Sequence, residues 1–308
     1  MQKKFIIKIL CLFLIFLKSE INAYENKIVV KVDNEIITSI DILNEIDYLT
    51  FINKDLKKFE KEKIYEISKN SLIREKVKKI EVLKNFNEMK VDEQYLDAAI
   101  KNYITRLNIS SFESFTNQIN KYGLDIKDIK QRFTIELLWN QLIYKKYSNS
   151  VKVDKELIKK EFQQNNKQKE FLLSEIVFNV QDNENIQDKY KIIENTINEQ
   201  DFNRAAAIHS TSDSASSGGI LGWIKQSSID PKINNELKNI TINQFTKPIV
   251  VPGGFLILKI NNIRETEKKN NSEKEVELIF EEKVNQQLNQ FSNIYFNKVL
   301  KSIAINEI

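Results

Sequence analysis

HSTSDSASSGGILGWI, residues 209–224, is the stretch on which the fold turns. Three of the chain's six glycines stand in it, at 218, 219 and 222, and two more follow at 253 and 254. Glycine permits positive φ and close approach of one backbone to another, so this clustering marks a tightly specified passage from loop to strand. Working outward, FLLSEIVFNV (171–180) reads as a strand, 184–199 as an amphipathic helix and 201–208 as a second short helix. Beyond the glycines come a helix over 231–239 and strands near 246–250 and 254–262. Short strands separated by several helices, without a repeated strand-helix-strand period, predict an α+β domain with a small antiparallel sheet.

Within that segment Phe202, Ala206, Ser210, Ser214 and Ser217 lead into Gly218-Gly219-Ile220-Leu221-Gly222-Trp223, and Pro248 and Gly254-Phe255-Leu256-Ile257 follow. On these residues the stretch of roughly 170–264 resembles the parvulin-type peptidyl-prolyl isomerase family. Rotation about an X-Pro amide faces a barrier near ~18–20 kcal/mol. Lowering it requires an apolar slot for the proline ring and hydrogen bonds that help the nitrogen lose conjugation, with no nucleophile. The resemblance places the family's first-strand His on Glu175 and the Cys or Asp of its loop on Ser212, or on Asp213 with a one-residue slip. It places the family's Thr and second His on Val251 and Leu256. The proline slot falls on Leu221, Ile229, Ile233 and Phe255. The chain's one histidine, His209, stands where the family has an aromatic at a helix end, so a packing or capping role is expected of it. With both histidine positions replaced, the expectation is an isomerase domain kept as scaffold or peptide-binding surface, its activity weak or lost. Glu175 acting alone is the alternative.

The rest of the chain is helical and charged. IVVKVDNEIITS (28–39) has two apolar runs about Asp33-Asn34, a hairpin signal, with Ser39 placed to cap the next helix. Helices are expected near 40–50, 55–69, 70–88, 92–107, 111–122 and 126–147, Ser110 and Glu113 forming a capping box and Gly123 closing that helix. The Lys/Glu-rich run over 54–90 reads as a solvated helix face. Residues 152–169 read as a polar helix and linker. In the last helix, 273–303, Phe280, Val284, Leu288, Phe291, Tyr295, Val299 and Ile303 form one stripe. Each such side chain is worth about 1.5–3 kcal/mol when buried, so the stripe must find cover. Its spacing drifts from a strict heptad, which favours return to the N-terminal helices over a coiled-coil dimer.

At the N-terminus Lys3-Lys4, the apolar run 5–17 and Ile21-Asn22-Ala23 before Tyr24 form a secretory signal pattern. The single cysteine, Cys11, lies inside it, so the mature chain is expected to carry neither thiol nor disulfide. Residues 1–23 hold +3 of the formal charge of +4, and the remainder gives no electrostatic case for nucleic acid. No metal-ligand spacing, P-loop, dinucleotide fingerprint or Ser/His/Asp set is visible, so neither metal nor cofactor is expected.

The opening IVVKVDNEIITSIDI, the stretch LDIKDIKQRFTIELLWNQLI (124–143) and the tail FSNIYFNKVLKSIAI (291–305) resemble segments of the SurA-type periplasmic chaperones. That resemblance implies a signal peptide over 1–23, a helical chaperone domain over 24–168, one parvulin-like domain over 169–265, and a C-terminal helix within 270–308 that completes the helical module. It implies a periplasmic location and unfolded outer-membrane β-barrel precursors or other exported polypeptides as clients. An active isomerase of exported proteins and a foldase anchored by an uncleaved 5–17 remain open as other readings. Clients are expected in a groove of the helical module, with no stable membrane insertion.

Overall fold

A computed structural model describes residues 26–164, 167–180, 184–267 and 272–308. The signal pattern over 1–23, Cys11 included, lies outside the described residues.

The chain enters on a hairpin of β1 (Ile28–Val32) and β2 (Glu35–Thr38), with Val32 opposite Glu35 and Asp33 at φ 48° in the turn. Two-residue hairpin turns favour Asp and Asn for this positive φ. Helix α1 (Ser39–Ile52) is capped by Thr38 rather than Ser39. The Asp41 carboxylate accepts from the Thr38 N–H at 2.8 Å and the Thr38 hydroxyl accepts from the Asp41 N–H at 3.3 Å. A 3₁₀ turn at Lys54–Lys58 leads to α2 (Lys61–Asn85), one helix of 25 residues where two were expected. Neither Gly nor Pro stands near the expected break, and Ser68 and Lys69 are buried there, so the helix continues. Nor is its face simply solvated, because Lys69 and Lys78 are both buried against the fold.

Next come α3 (Glu93–Arg106), α4 (Phe112–Lys121), α5 (Ile126–Tyr147) and α6 (Lys155–Gln164). Ser111, not Ser110, caps α4 by accepting from the Ser114 N–H at 3.1 Å, and Gly123 follows its end at φ 73°. At the far end of the chain α10 (Ser272–Leu300) runs back over these helices to β7 (Ile305–Glu307), which pairs with β1. The first sheet has the order β2-β1-β7. Tyr295, Phe296, Val299 and Ile303 share one core with Val30, Val82 and Trp139, whose indole N–H donates to Ser292 Oγ at 2.8 Å. Tyr147 stacks on Phe291 at 4.8 Å between ring centroids. The C-terminal stripe therefore finds its cover within the chain.

The second sheet comprises β3 (Lys167–Phe178), β4 (Ile220–Lys225), β5 (Ile249–Val251) and β6 (Gly254–Glu267), antiparallel in the order β4-β3-β6-β5. Strand alternation sends Phe171, Leu173 and Val177 to one cluster and Ile176 and Phe178 to another. The first cluster is covered by Ile233 and Leu237 of α9 (Pro231–Leu237). The second is covered by α7 (Ile186–Glu199) and α8 (Phe202–His209). The fold is thus α+β: a helical module completed by the C-terminal helix, and a domain built on a small antiparallel sheet. Among the described residues no helix is long and apolar enough to cross a membrane.

Candidate functional site

The glycine-rich stretch decides the site by where it lets β4 begin. Gly219 stands at φ 75°, and its carbonyl accepts from the Glu175 N–H at 2.8 Å. A Cβ at that position would lie 2.1 Å from the Glu175 carbonyl oxygen, so only glycine allows this approach. Upstream, the alternate residues 210, 212 and 214 are serines whose hydroxyls link into a chain against β3. Ser210 Oγ accepts from the Val177 N–H at 3.0 Å and lies 2.9 Å from Ser212 Oγ, which lies 2.7 Å from Ser214 Oγ. Ser214 Oγ then donates to Glu175 Oε1 at 2.9 Å. A relay of three hydroxyls therefore ends on one carboxyl. Burial pushes the Glu175 carboxyl above its ordinary range; hydrogen bonds from Ser214 and Ser212 oppose this, and the neighbouring Asp213 charge adds to it.

Around that carboxyl the other sequence-assigned positions separate into three places. Ile229, Ile233, Leu256 and Val251 meet in the cluster on the α9 side, together with Val177 and Leu258. Ile229 and Ile233 of the expected slot are buried, as is Leu256 beside them, and the slot's four positions are not brought together. Leu221 stands exposed on the edge strand β4, at the irregularity in its pairing with β3. Phe255 belongs to the other cluster, stacked on Phe178 at 5.5 Å. His209 is hydrogen-bonded through Nε2 to Thr196 Oγ1 at 2.9 Å. Burial, with Lys63 and Lys189 nearby, pushes it down to about 4, so it is neutral near pH 7.

Asp213, between Ser212 and Ser214 of the relay, faces out of the domain and into the helical module. Its carboxylate accepts from Arg74 Nη2 at 3.0 Å and Lys78 Nζ at 2.9 Å, and Lys78 also holds Glu136 of α5 at 2.7 Å. Lost solvation raises the Asp213 carboxyl, but the Lys78 and Arg74 charges outweigh it and hold the group well below its ordinary range. Lys78 is itself buried, and its lost solvation is outweighed by Asp213 and Glu136, so it stays charged. Asn53 Nδ2 donates to the Ser216 carbonyl at 3.4 Å, and Ala207 packs into the core of α1, α3 and α4. The loop carrying the relay is thus clamped to the helical module. Asp213 entered the sequence reading only as a slip of Ser212. Lys78, Arg74 and Glu136 were hidden in a charge run and a helix face.

On the opposite side, Lys225 pairs with Glu275 of α10 at 2.8 Å and Ser228 Oγ donates to Glu282. Between α6, α10 and the segment from the 3₁₀ turn Gln226–Ser228 into α9 lies a cleft of about 810 Å³. Of the sequence-assigned slot residues, Ile229 lines it. Among the described residues no cluster of His, Cys, Asp and Glu could hold a metal ion.

Residues 172–262 match the family described as PPIC-type PPIASE domain, or Rotamase. The chain is similar to Chaperone SurA of Pseudomonas fluorescens strain Pf0-1, 22% identical over 183 residues, which cover 56% of this chain and 43% of the relative. It is also similar to Chaperone SurA of Pseudomonas syringae pv. tomato, 28% identical over 184 residues, covering 56% and 42%. The matches thus span less than half the length of these relatives. Among solved structures, a SurA-like chaperone of Campylobacter jejuni is 21% identical, covering 92% of this chain and 99% of that one, with a TM-score of 0.34. The peptidylprolyl isomerase PrsA of Bacillus anthracis is 18% identical, covering 75% and 94%, with a TM-score of 0.32. The chain is thus similar to chaperones named SurA, and its residues 172–262 form a PpiC-type peptidyl-prolyl isomerase domain.

Proposed function

We propose that the chain is a periplasmic chaperone that holds unfolded outer-membrane β-barrel precursors, and that its isomerase domain has weak or no catalytic activity. The observation that supports this reading is the cluster on the α9 side: Leu256, at a position the resemblance gives to histidine, is buried there with the slot residues Ile229 and Ile233. The positions that the family resemblance gives to histidine hold Glu175 and Leu256. An aliphatic side chain offers no hydrogen bond to a rotating amide. The similarity to chaperones named SurA and the signal pattern at the N-terminus support the chaperone role and the location.

Two measurements test it. Dilution of a urea-unfolded outer-membrane β-barrel protein into an equimolar amount of the mature chain should give little light scattering, and aggregation as in buffer alone would end the chaperone reading. Exchange of a short X-Pro peptide followed by NMR should hardly exceed the uncatalysed rate. A second reading, an active isomerase, draws on the hydroxyl relay that ends at Glu175. Strong acceleration that disappears in Glu175→Ala would establish it in place of the first.

A further inference from the structure

The 3₁₀ turn Asp213–Ser217 belongs to both modules at once. Its flanks are tied to β3: the Thr211 N–H donates to the Val177 carbonyl at 2.6 Å, and the Gly219 carbonyl accepts from the Glu175 N–H. Between those ties the turn can still rotate, and side chains decide how it sits. Toward the sheet, Ser214 donates to Glu175 Oε1. Toward the helices, Arg74 and Lys78 of α2 hold Asp213, and Asn53, just past α1, holds the Ser216 carbonyl. In a 3₁₀ turn residues three apart lie over one another, so 213 and 216 share one side and 214 stands on another. The turn is closed by short-range bonds such as Ala215 N–H to the Ser212 carbonyl at 3.1 Å, so displacing Asp213 also turns Ser214. Of the groups that bear on the Glu175 carboxyl, Ser212 and Ser214 donate to it and Asp213 supplies a charge. Its β6 partner is Leu258, and α8 brings Ala206 close to Gly219. Behind Asp213 stand Arg74, Lys78 and Glu136.

We infer that Asp213 is a positioning residue through which the helical module holds the hydrogen bond on Glu175. With Arg74 and Lys78 engaged, the turn presents Ser214 to the carboxylate. With both cations removed, the turn rotates, the donor is lost and the Asp213 charge stands uncompensated. Each of these losses disfavours the ionised form of Glu175. A change in α2 thereby reaches a carboxyl inside the other module, through a short element with two arrangements. The inference goes beyond the proposed function and holds whether or not the domain isomerises prolyl bonds.

The test is the titration of the Glu175 carboxyl in the full chain, labelled with carbon-13 at glutamate Cδ and followed by NMR. Loss of one resonance in Glu175→Gln assigns the signal. Ser214→Ala should raise the titration midpoint by about one pH unit. Arg74→Met combined with Lys78→Met should raise it at least as far, since the same donor is lost and Asp213 is left unpaired. Adding Ser214→Ala to that pair should move it little further, because the donor has already gone. Lys84→Met, on the same helix but 54% exposed, should leave it in place. A midpoint unmoved in the double variant, with Tm lowered, would make the clamp a structural tie only and overturn the inference. An unmoved midpoint in Ser214→Ala would overturn it too. Should the double variant fail to fold, judged by the Trp139 indole resonance, Arg74→Met alone decides. It removes one of the two cations, so the midpoint should rise by a smaller amount, with Arg74→Lys close to the native value. No rise in Arg74→Met would then end the inference.

Discussion

Lys78 shows what a single residue decides here. Its ammonium sits 5.7 Å from the centre of the Trp139 ring and binds Glu136 in the helical module and Asp213 in the isomerase domain. Removing one member of a buried ion pair strands the others, at a cost of about 3–5 kcal/mol when all are buried. Glu136 and Asp213 keep contact with solvent, at 37% and 62% side-chain exposure, so the loss is smaller. Lys78→Met should therefore destabilise the chain by about 2 kcal/mol in urea unfolding, with Lys84→Met, 54% exposed near the end of the same helix, close to neutral. This role was not legible in the sequence, because a lysine in a Lys/Glu run looks alike whether it faces water or a neighbouring domain. The hydroxyl relay was half legible. The family pattern picked out Ser210 and Ser214, but their link to Glu175 depends on how Gly219 starts β4.

At the scale of elements, patterns with a period were legible. The run 126–147 matches α5, and the Asp33-Asn34 hairpin forms where its turn residues stand. Boundaries set by packing were not: α2 runs unbroken through 69–70, and β7 was not anticipated because three residues carry no period. The stripe on α10 returns to the helices, as its drift from a heptad suggested. Phe296 is the most telling residue beside it, 5% exposed, with Arg74 4.7 Å above its ring and Trp139 at 6.1 Å. Phe296→Ala should cost about 3–5 kcal/mol, measured by urea unfolding, while Leu278→Ala at an exposed position of the same helix should cost less than about 1 kcal/mol.

For the whole molecule, the clamp at Asp213 makes the union of the two modules depend on pH. A carboxylate whose folded pKa is depressed adds stability above its unfolded value and loses it as pH falls toward the folded one. The ordinary value for Asp213 is 3.8. The Tm advantage of the native chain over Asp213→Asn should thus be complete at about pH 7 and shrink below about pH 4. Glu175 is raised, so its sign is opposite: its burial disfavours the fold increasingly as pH rises above its ordinary 4.5. Glu175→Gln should accordingly gain Tm relative to the native chain as pH rises above that value, and a thermal series from about pH 3 to about pH 8 reads both variants. The inter-module cleft escaped the sequence for a reason of the same scale. Its walls come from Pro252 and three stretches far apart in the chain, near 150–169, 226–238 and 283–291, and no local pattern links them.

The pairing of β7 with β1 joins the last described strand to the first. A chain of which only the first 290 residues have emerged presents Trp139, Val82 and Val30 with no partner from 291–303, and β1 with one bare edge. The helical core cannot finish early while the isomerase domain waits its turn. The middle of the chain is free to fold first, since β3 to β6 need nothing beyond residue 267 for their pairing. The module that β1 opens is therefore the last to close, and until residue 307 has emerged the nascent molecule is itself an unfolded polypeptide in need of a holder.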